Sequence, residues 1–166
     1  MGNLFTRFAR RMRLCALGLV FATIGIGVIA PPDGAAAQDR NGFDDTPLVV
    51  RNDRGGLLQD RLREIGQLRQ QRRPVEIRGS VCFSTCTMYL GLPGTCVSPT
   101  TTFGFHGPSS YGRALDPATF NRASEVIASY YPAPLQRWYM DTGRFKIRSL
   151  YRIKGRDIIR MGVRQC

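Results

Sequence analysis

From residue 47 onward, short apolar runs alternate with stretches of helical period, and that alternation restricts the fold more than any other feature of the chain. "PLVVRN" reads as a buried strand, broken by "DRGG". Leu58, Leu62, Ile65 and Leu68 then recur at helical spacing, up to a stop at Pro74. "VEIRG" is a second strand, and "STCTMYLGL" reads as a helix opening at Ser84. "LPGTC" turns the chain into "TTFGFH", a third strand, and "GPSSYGRAL" is a loop. Asp116-Pro117 starts another helix, with Asp as the cap and Pro at the first helical position. Phe120, Ala123, Val126, Ile127 and Tyr130 share its apolar face. Pro132 and Pro134 separate it from a short helix ending at Gly143. "SLYRI" is a short strand and "GRDIIRMGV" a last helical turn. Strands alternating with helices predict an α/β layered domain, with a largely parallel sheet and flanking helices.

The residues ahead of this pattern read as an export signal. Residues 1–13 carry Arg7, Arg10, Arg11 and Arg13 and no acid; residues 14–30 are unbroken and apolar; "PPDGAAA" ends in small residues, placing cleavage after Ala37. The pair Arg10-Arg11 has the twin-arginine form, but its surroundings match that signal poorly. The apolar run falls short of the roughly 20 residues of a spanning helix. An uncleaved signal would instead anchor the domain to a membrane from outside. The expected organisation is a signal over 1–37, a loose polar segment over 38–46 and one folded domain over 47–166, periplasmic or secreted.

Cysteine usage agrees with export. Cys15 leaves with the signal, and Cys82, Cys86, Cys96 and Cys166 remain as an even set in an oxidising compartment. A four-thiolate zinc site is the competing reading, but no C-x-x-C pair occurs, so no metal is expected. Of the three pairings that four cysteines allow, the expected one joins Cys86 to Cys96 and Cys82 to Cys166. The formal charge of +12 drops to about +9 once four arginines and Asp33 depart with the signal. Nearly all of it is arginine, since Lys146 and Lys154 are the only lysines. No interleaved aromatic-basic motif occurs, so nucleic acid is not an expected partner, whereas an anionic component of the cell envelope is.

Three elements carry candidate chemistry. A serine opening a helix is most often a cap, yet the same place offers free N–H groups and partial positive charge to a developing oxyanion. A serine nucleophile needs a base, and His106 is the only histidine, at the end of a strand before Gly107-Pro108. Gly55-Gly56 follows a strand and precedes a helix, where a backbone N–H can approach a reacting atom closely.

Taken together, "NDRGGLLQDRL", "VEIRGSVCFSTCTMYL" and "TTFGFHGP" resemble the proteolytic subunit of Clp protease and its crotonase-fold relatives. The likeness is closest to the exported, cysteine-containing bacterial branch of that group. It covers residues 47–108 well and the C-terminal third only through "GRDIIRMGV". It implies Ser84 as nucleophile, His106 as base, and an oxyanion hole from Gly55-Gly56 and the N–H of Thr85. The family's acid aligns near Ser149, which is no carboxylate; Asp141 and Asp157 are the nearby candidates, both out of register. A serine–lysine pair, known in exported relatives of this fold, would have to use Lys146 or Lys154, and neither lies in a matching segment. The family's peptidase forms rings fed by an ATP-driven unfoldase. This chain has no ATP motif, so that assembly does not carry over, and self-association of another kind is what remains. The expectation is therefore a small, disulfide-stapled Clp-protease/crotonase-like domain without a cofactor. It would hydrolyse a peptide or other acyl substrate through a Ser-His dyad or incomplete triad. The alternative is a non-catalytic binding or scaffold protein of the cell envelope.

Overall fold

A computed structural model describes residues 46–166; the segment expected to be an export signal (1–37) and residues 38–45 lie outside the described residues. Strand β1 (Leu48–Asp53) leads through the glycine pair to helix α1 (Leu58–Gln70), then β2 (Val75–Phe83), a 3₁₀ helix (Ser84–Gly91), β3 (Cys96–Val97) and β4 (Thr102–Phe105). Helices α2 (Pro117–Ala128) and α3 (Ala133–Asp141) follow, then β5 (Tyr151–Lys154), α4 (Gly155–Arg160) and β6 (Arg164–Gln165). The mixed α/β architecture and the mostly parallel sheet agree with the alternation of the sequence.

The sheet forks at β2. One edge of β2 pairs along its length with β1, in parallel, from Leu48 opposite Val75 to Asp53 opposite Cys82. Its other edge is shared: Glu76 and Ile77 pair with β3, whereas Val81, Cys82 and Phe83 pair with β4. β6 extends the sheet beyond β3 in parallel, and β5 extends it beyond β4 antiparallel. The consequence for function is local. β1, β2 and β4 are neighbouring parallel strands that end level with one another, so the residues just past them emerge together, where ligands bind in open parallel sheets. Those residues are Gly55-Gly56, Ser84 and His106.

The core lies between the sheet and its helices. Val75, Ile77, Val97 and Phe103 from the sheet, Ile65 from α1, Leu135 and Tyr139 from α3 and Ile158 from α4 are almost wholly buried. Each aliphatic or aromatic side chain so placed stabilises the fold by about 1.5–3 kcal/mol. The cap on α2 is as expected, with the Asp116 carboxylate accepting from the Thr119 N–H at 2.9 Å. Its buried side, however, is Ser124, Ile127 and Ala128, and Val126 faces solvent.

One further expectation, the cysteine pairing, is corrected. The helix read from the sequence does open at Ser84, as a 3₁₀ helix. Thr85 through Leu90 are all buried, so no amphipathic face selects the α period, and the Thr87 hydroxyl donates to the Ser84 carbonyl at 2.7 Å across the first turn. The disulfides join Cys82 to Cys86 and Cys96 to Cys166, not Cys86 to Cys96 and Cys82 to Cys166. The turn from β2 into the 3₁₀ helix brings the Cα atoms of Cys82 and Cys86 within 5.3 Å. The pairing of β3 with β6, two short strands absent from the sequence reading, brings Cys96 to Cys166. Both bridges fit an oxidising, extracytoplasmic compartment. Among the described residues no helix is long and apolar enough to cross a membrane.

Candidate active site

Ser84 stands at the turn between β2 and the 3₁₀ helix with φ +56°, a conformation that residues bearing a Cβ rarely adopt. The turn projects its side chain from the sheet end toward β4. There His106, the first residue past β4, meets it: the Ser84 hydroxyl and His106 Nε2 are 2.7 Å apart. The other ring nitrogen, Nδ1, lies 2.7 Å from the Gly107 carbonyl oxygen. A carbonyl can only accept, so Nδ1 carries the proton and Nε2 presents its lone pair to the Ser84 O–H. That tautomer is the one a general base requires.

The backbone under the imidazole is held from two sides. The Tyr139 hydroxyl donates to the His106 carbonyl at 3.1 Å, and the Gly107 N–H donates to the Lys146 carbonyl at 2.7 Å. A side chain at Gly107 would meet the Arg144 carbonyl oxygen at 1.8 Å, so glycine is what lets the 144–146 segment press against this turn. Neither aspartate considered as an acid partners the ring. Asp157 is paired with Arg160 at 2.6 Å, and Asp141 is exposed at the end of α3.

The two glycines play unlike parts. The Gly55 N–H donates to Asp53 Oδ1 at 2.7 Å, so it is not directed at a reacting atom. What Gly55 supplies is room: at φ +89° its absent side chain leaves space that Ser84 fills, a Cβ there falling 2.5 Å from Ser84 Cβ. Gly56 borders the cleft, and its N–H donates to Thr85 Oγ1 at 3.0 Å. Sequence reasoning missed what anchors this loop. Asp53 Oδ2 pairs with Arg61, a nearly buried guanidinium on α1 that also bonds Glu64 and the Tyr89 hydroxyl and stacks 4.3 Å from the Tyr89 ring. The signal was there in part, since aspartate just ahead of a glycine turn is suited to bonding backbone N–H groups two residues on.

A cleft of about 260 Å³ opens beside Ser84 and His106. Leu57, Leu58, Pro108 and Ile127 give it apolar lining, Thr87 and Tyr131 add hydroxyls, and among the described residues none that lines it carries a formal charge. The Tyr131 and Thr87 hydroxyls bond at 2.7 Å. Burial pushes the Tyr131 phenol well above the usual tyrosine range; the neighbouring Tyr139 adds to the shift and the Thr87 bond opposes it. Burial likewise raises Tyr139, with Arg144 opposing. Both phenols are neutral donors at any physiological pH. Among the described residues no cluster of histidine, cysteine or carboxylate side chains is arranged to hold a metal ion. Comparison with protein-family models and with curated proteins finds no match to this chain.

Proposed function

We propose that this protein is an exported serine hydrolase of the Clp-protease/crotonase type, acting on a peptide or related acyl bond. The observation that carries the reading is the 2.7 Å contact between Ser84 Oγ and His106 Nε2, at a strained turn beside an uncharged cleft. Ser84 attacks the acyl carbon while His106 Nε2 takes its proton. The imidazolium then returns that proton to the leaving amine, and a water deacylates the serine by the same route. The oxyanion takes the N–H of Thr85 and that of Gly56, which exchanges the Thr85 hydroxyl for it. The parallel β1–β2–β4 order, with glycine pair, serine and histidine at its end, supports the fold assignment.

The Gly107 carbonyl stands in for the missing acid. Replacing the aspartate of a Ser-His-Asp triad by asparagine costs about 10⁴-fold in turnover, largely through the wrong imidazole tautomer. A carbonyl acceptor keeps the right tautomer and forgoes only the carboxylate's charge. Labelling with a fluorophosphonate tests the reading. The oxidised protein reacts, Ser84→Ala does not, and His106→Ala reacts about 10²–10⁴-fold more slowly. A folded, disulfide-bonded protein that takes no probe would leave Ser84 as a turn residue and the cleft as the site of a binding module.

A further inference from the structure

The geometry points to the Cys82–Cys86 disulfide as the positioning device of the nucleophile: it holds Ser84 in the backbone conformation that presents Oγ to His106, so the contact depends on that bridge. The inference rests on the reading of Ser84 and His106 as a hydrolytic pair.

The bridged cysteines stand two residues before and two after Ser84, and their Cα atoms are 5.3 Å apart. Four residues of extended strand would separate those atoms by about 13 Å. The bridge therefore excludes continuation of β2 through residue 84 and requires the chain to double back there. Ser84 is where it does so, at φ +56°. The other local restraint does different work. The Thr87 hydroxyl bonds the Ser84 carbonyl, which restrains ψ of Ser84 rather than φ. Gly55 makes room for the serine without holding it. Cys82 and Cys86 are both fully buried, so the bridge is anchored in the core beneath the turn. The Cys96–Cys166 bridge joins β3 to the residue after β6, beside the Glu76–Ile77 end of β2 and away from Ser84, and serves as an internal control.

A serine released from such a φ returns to ordinary backbone angles with a preference of about ten- to a hundredfold. The experiment exploits the single histidine, whose imidazole ¹⁵N signals need no assignment. They are compared in the oxidised wild type, Ser84→Ala, Cys82→Ser/Cys86→Ser and the triple variant, alongside fluorophosphonate labelling. The expected result is that Ser84→Ala moves the Nε2 signal when the bridge is present and leaves it unmoved when the bridge is absent. Labelling falls about ten- to a hundredfold without the bridge. A Ser84→Ala response of equal size in both backgrounds overturns the inference and leaves the hydrolase reading standing. A bridge-dependent response in a protein that takes no probe sinks the hydrolase reading and supports the positioning role. No response in the oxidised wild type overturns both. Should the double serine variant not fold, the same comparison is made on Cys96→Ser/Cys166→Ser before and after phosphine reduction of the remaining bridge, with near-ultraviolet circular dichroism reporting the fold. Persistence of the Nε2 response after reduction overturns the inference there too.

Discussion

Alanine at Gly55 and alanine at Gly56 are the same chemical change one residue apart, and the structure assigns them opposite outcomes. At Gly55 a Cβ would lie 2.5 Å from Ser84 Cβ, 2.8 Å from the Phe83 carbonyl oxygen and 3.0 Å from Ser84 Oγ, at φ +89°. Two costs add. A side chain in the left-handed region costs about 1–2 kcal/mol, and forcing a methyl into a filled site typically costs about 1–3 kcal/mol. The nearest obstacles are backbone and a Cβ on a bridged turn, which cannot swing aside, so the sum sits near 3 kcal/mol. In a domain of this size that is a fall of about 10 °C in Tm. At Gly56 nothing lies within 4 Å of the added methyl and φ is ordinary, so the change stays within about ±0.5 kcal/mol. Urea denaturation of the two oxidised variants makes the comparison, with fluorophosphonate labelling under conditions where both are folded. Because the atom displaced at Gly55 is the serine itself, labelling of Gly55→Ala falls while it is still folded. Equal urea midpoints for the two variants would refute the packing argument and, with it, the role given to Gly55.

Three further outcomes are expected. Arg61→Ala strands the Asp53 carboxylate and the buried Tyr89 hydroxyl; breaking a buried pair costs about 3–5 kcal/mol, reduced here toward about 3 because Asp53 is 22% exposed, and urea titration measures it. Tyr139→Phe removes the donor to the His106 carbonyl and costs about 1 kcal/mol, while lowering probe labelling because the turn under the imidazole loosens. Tyr131 has its folded pKa raised above its unfolded value, so its share of stability is present below the ordinary tyrosine value near 10 and is lost as pH climbs past it. Urea midpoints should therefore drop in alkali, and Tyr131→Phe should show a shallower drop.

The fold class was legible because it rests on period and punctuation. The apolar runs at Leu48 and Val75, the helical spacing from Leu58 to Leu68 and the cap at Asp116 are local signals, and local forces decide them. The strands β3 and β6 were not legible. Two residues each carry no period, and they exist because the sheet forks at β2 and leaves an edge to be covered. The disulfide pairing failed for the same reason. Cys96 and Cys166 meet only through that non-local pairing, while Cys82 and Cys86 meet through a turn whose sharpness a helical reading of Ser84 understates. Arg61 was hidden differently: it stands three residues after Leu58 and four before Ile65, on the apolar face of α1, where an arginine is out of pattern, and the Asp53 carboxylate and the Tyr89 hydroxyl make its burial tolerable.

The missing acid shows where sequence reasoning about a site stops. A search for a third residue looks through side chains, so it turned to Asp141 and Asp157, the carboxylates nearest the expected register. What holds the imidazole is a backbone carbonyl, that of Gly107, and a carbonyl has no signature in any alphabet of side chains. Its usefulness comes from the residue's having no side chain at all: Gly107 lets the Arg144–Lys146 segment close against the turn, and the Lys146 carbonyl takes the Gly107 N–H. The substitution has a chemical consequence. A carboxylate would stabilise the imidazolium by charge as well as by tautomer, whereas a carbonyl offers only its dipole, so on the proposed reading proton transfer from Ser84 is less favoured than in a full triad. The uncharged lining of the cleft and the neutral phenols of Tyr131 and Tyr139 do not restore that charge. A hydrolase built this way relies on positioning, which is why the held turn at Ser84 carries more of the argument than any ionisable group around it.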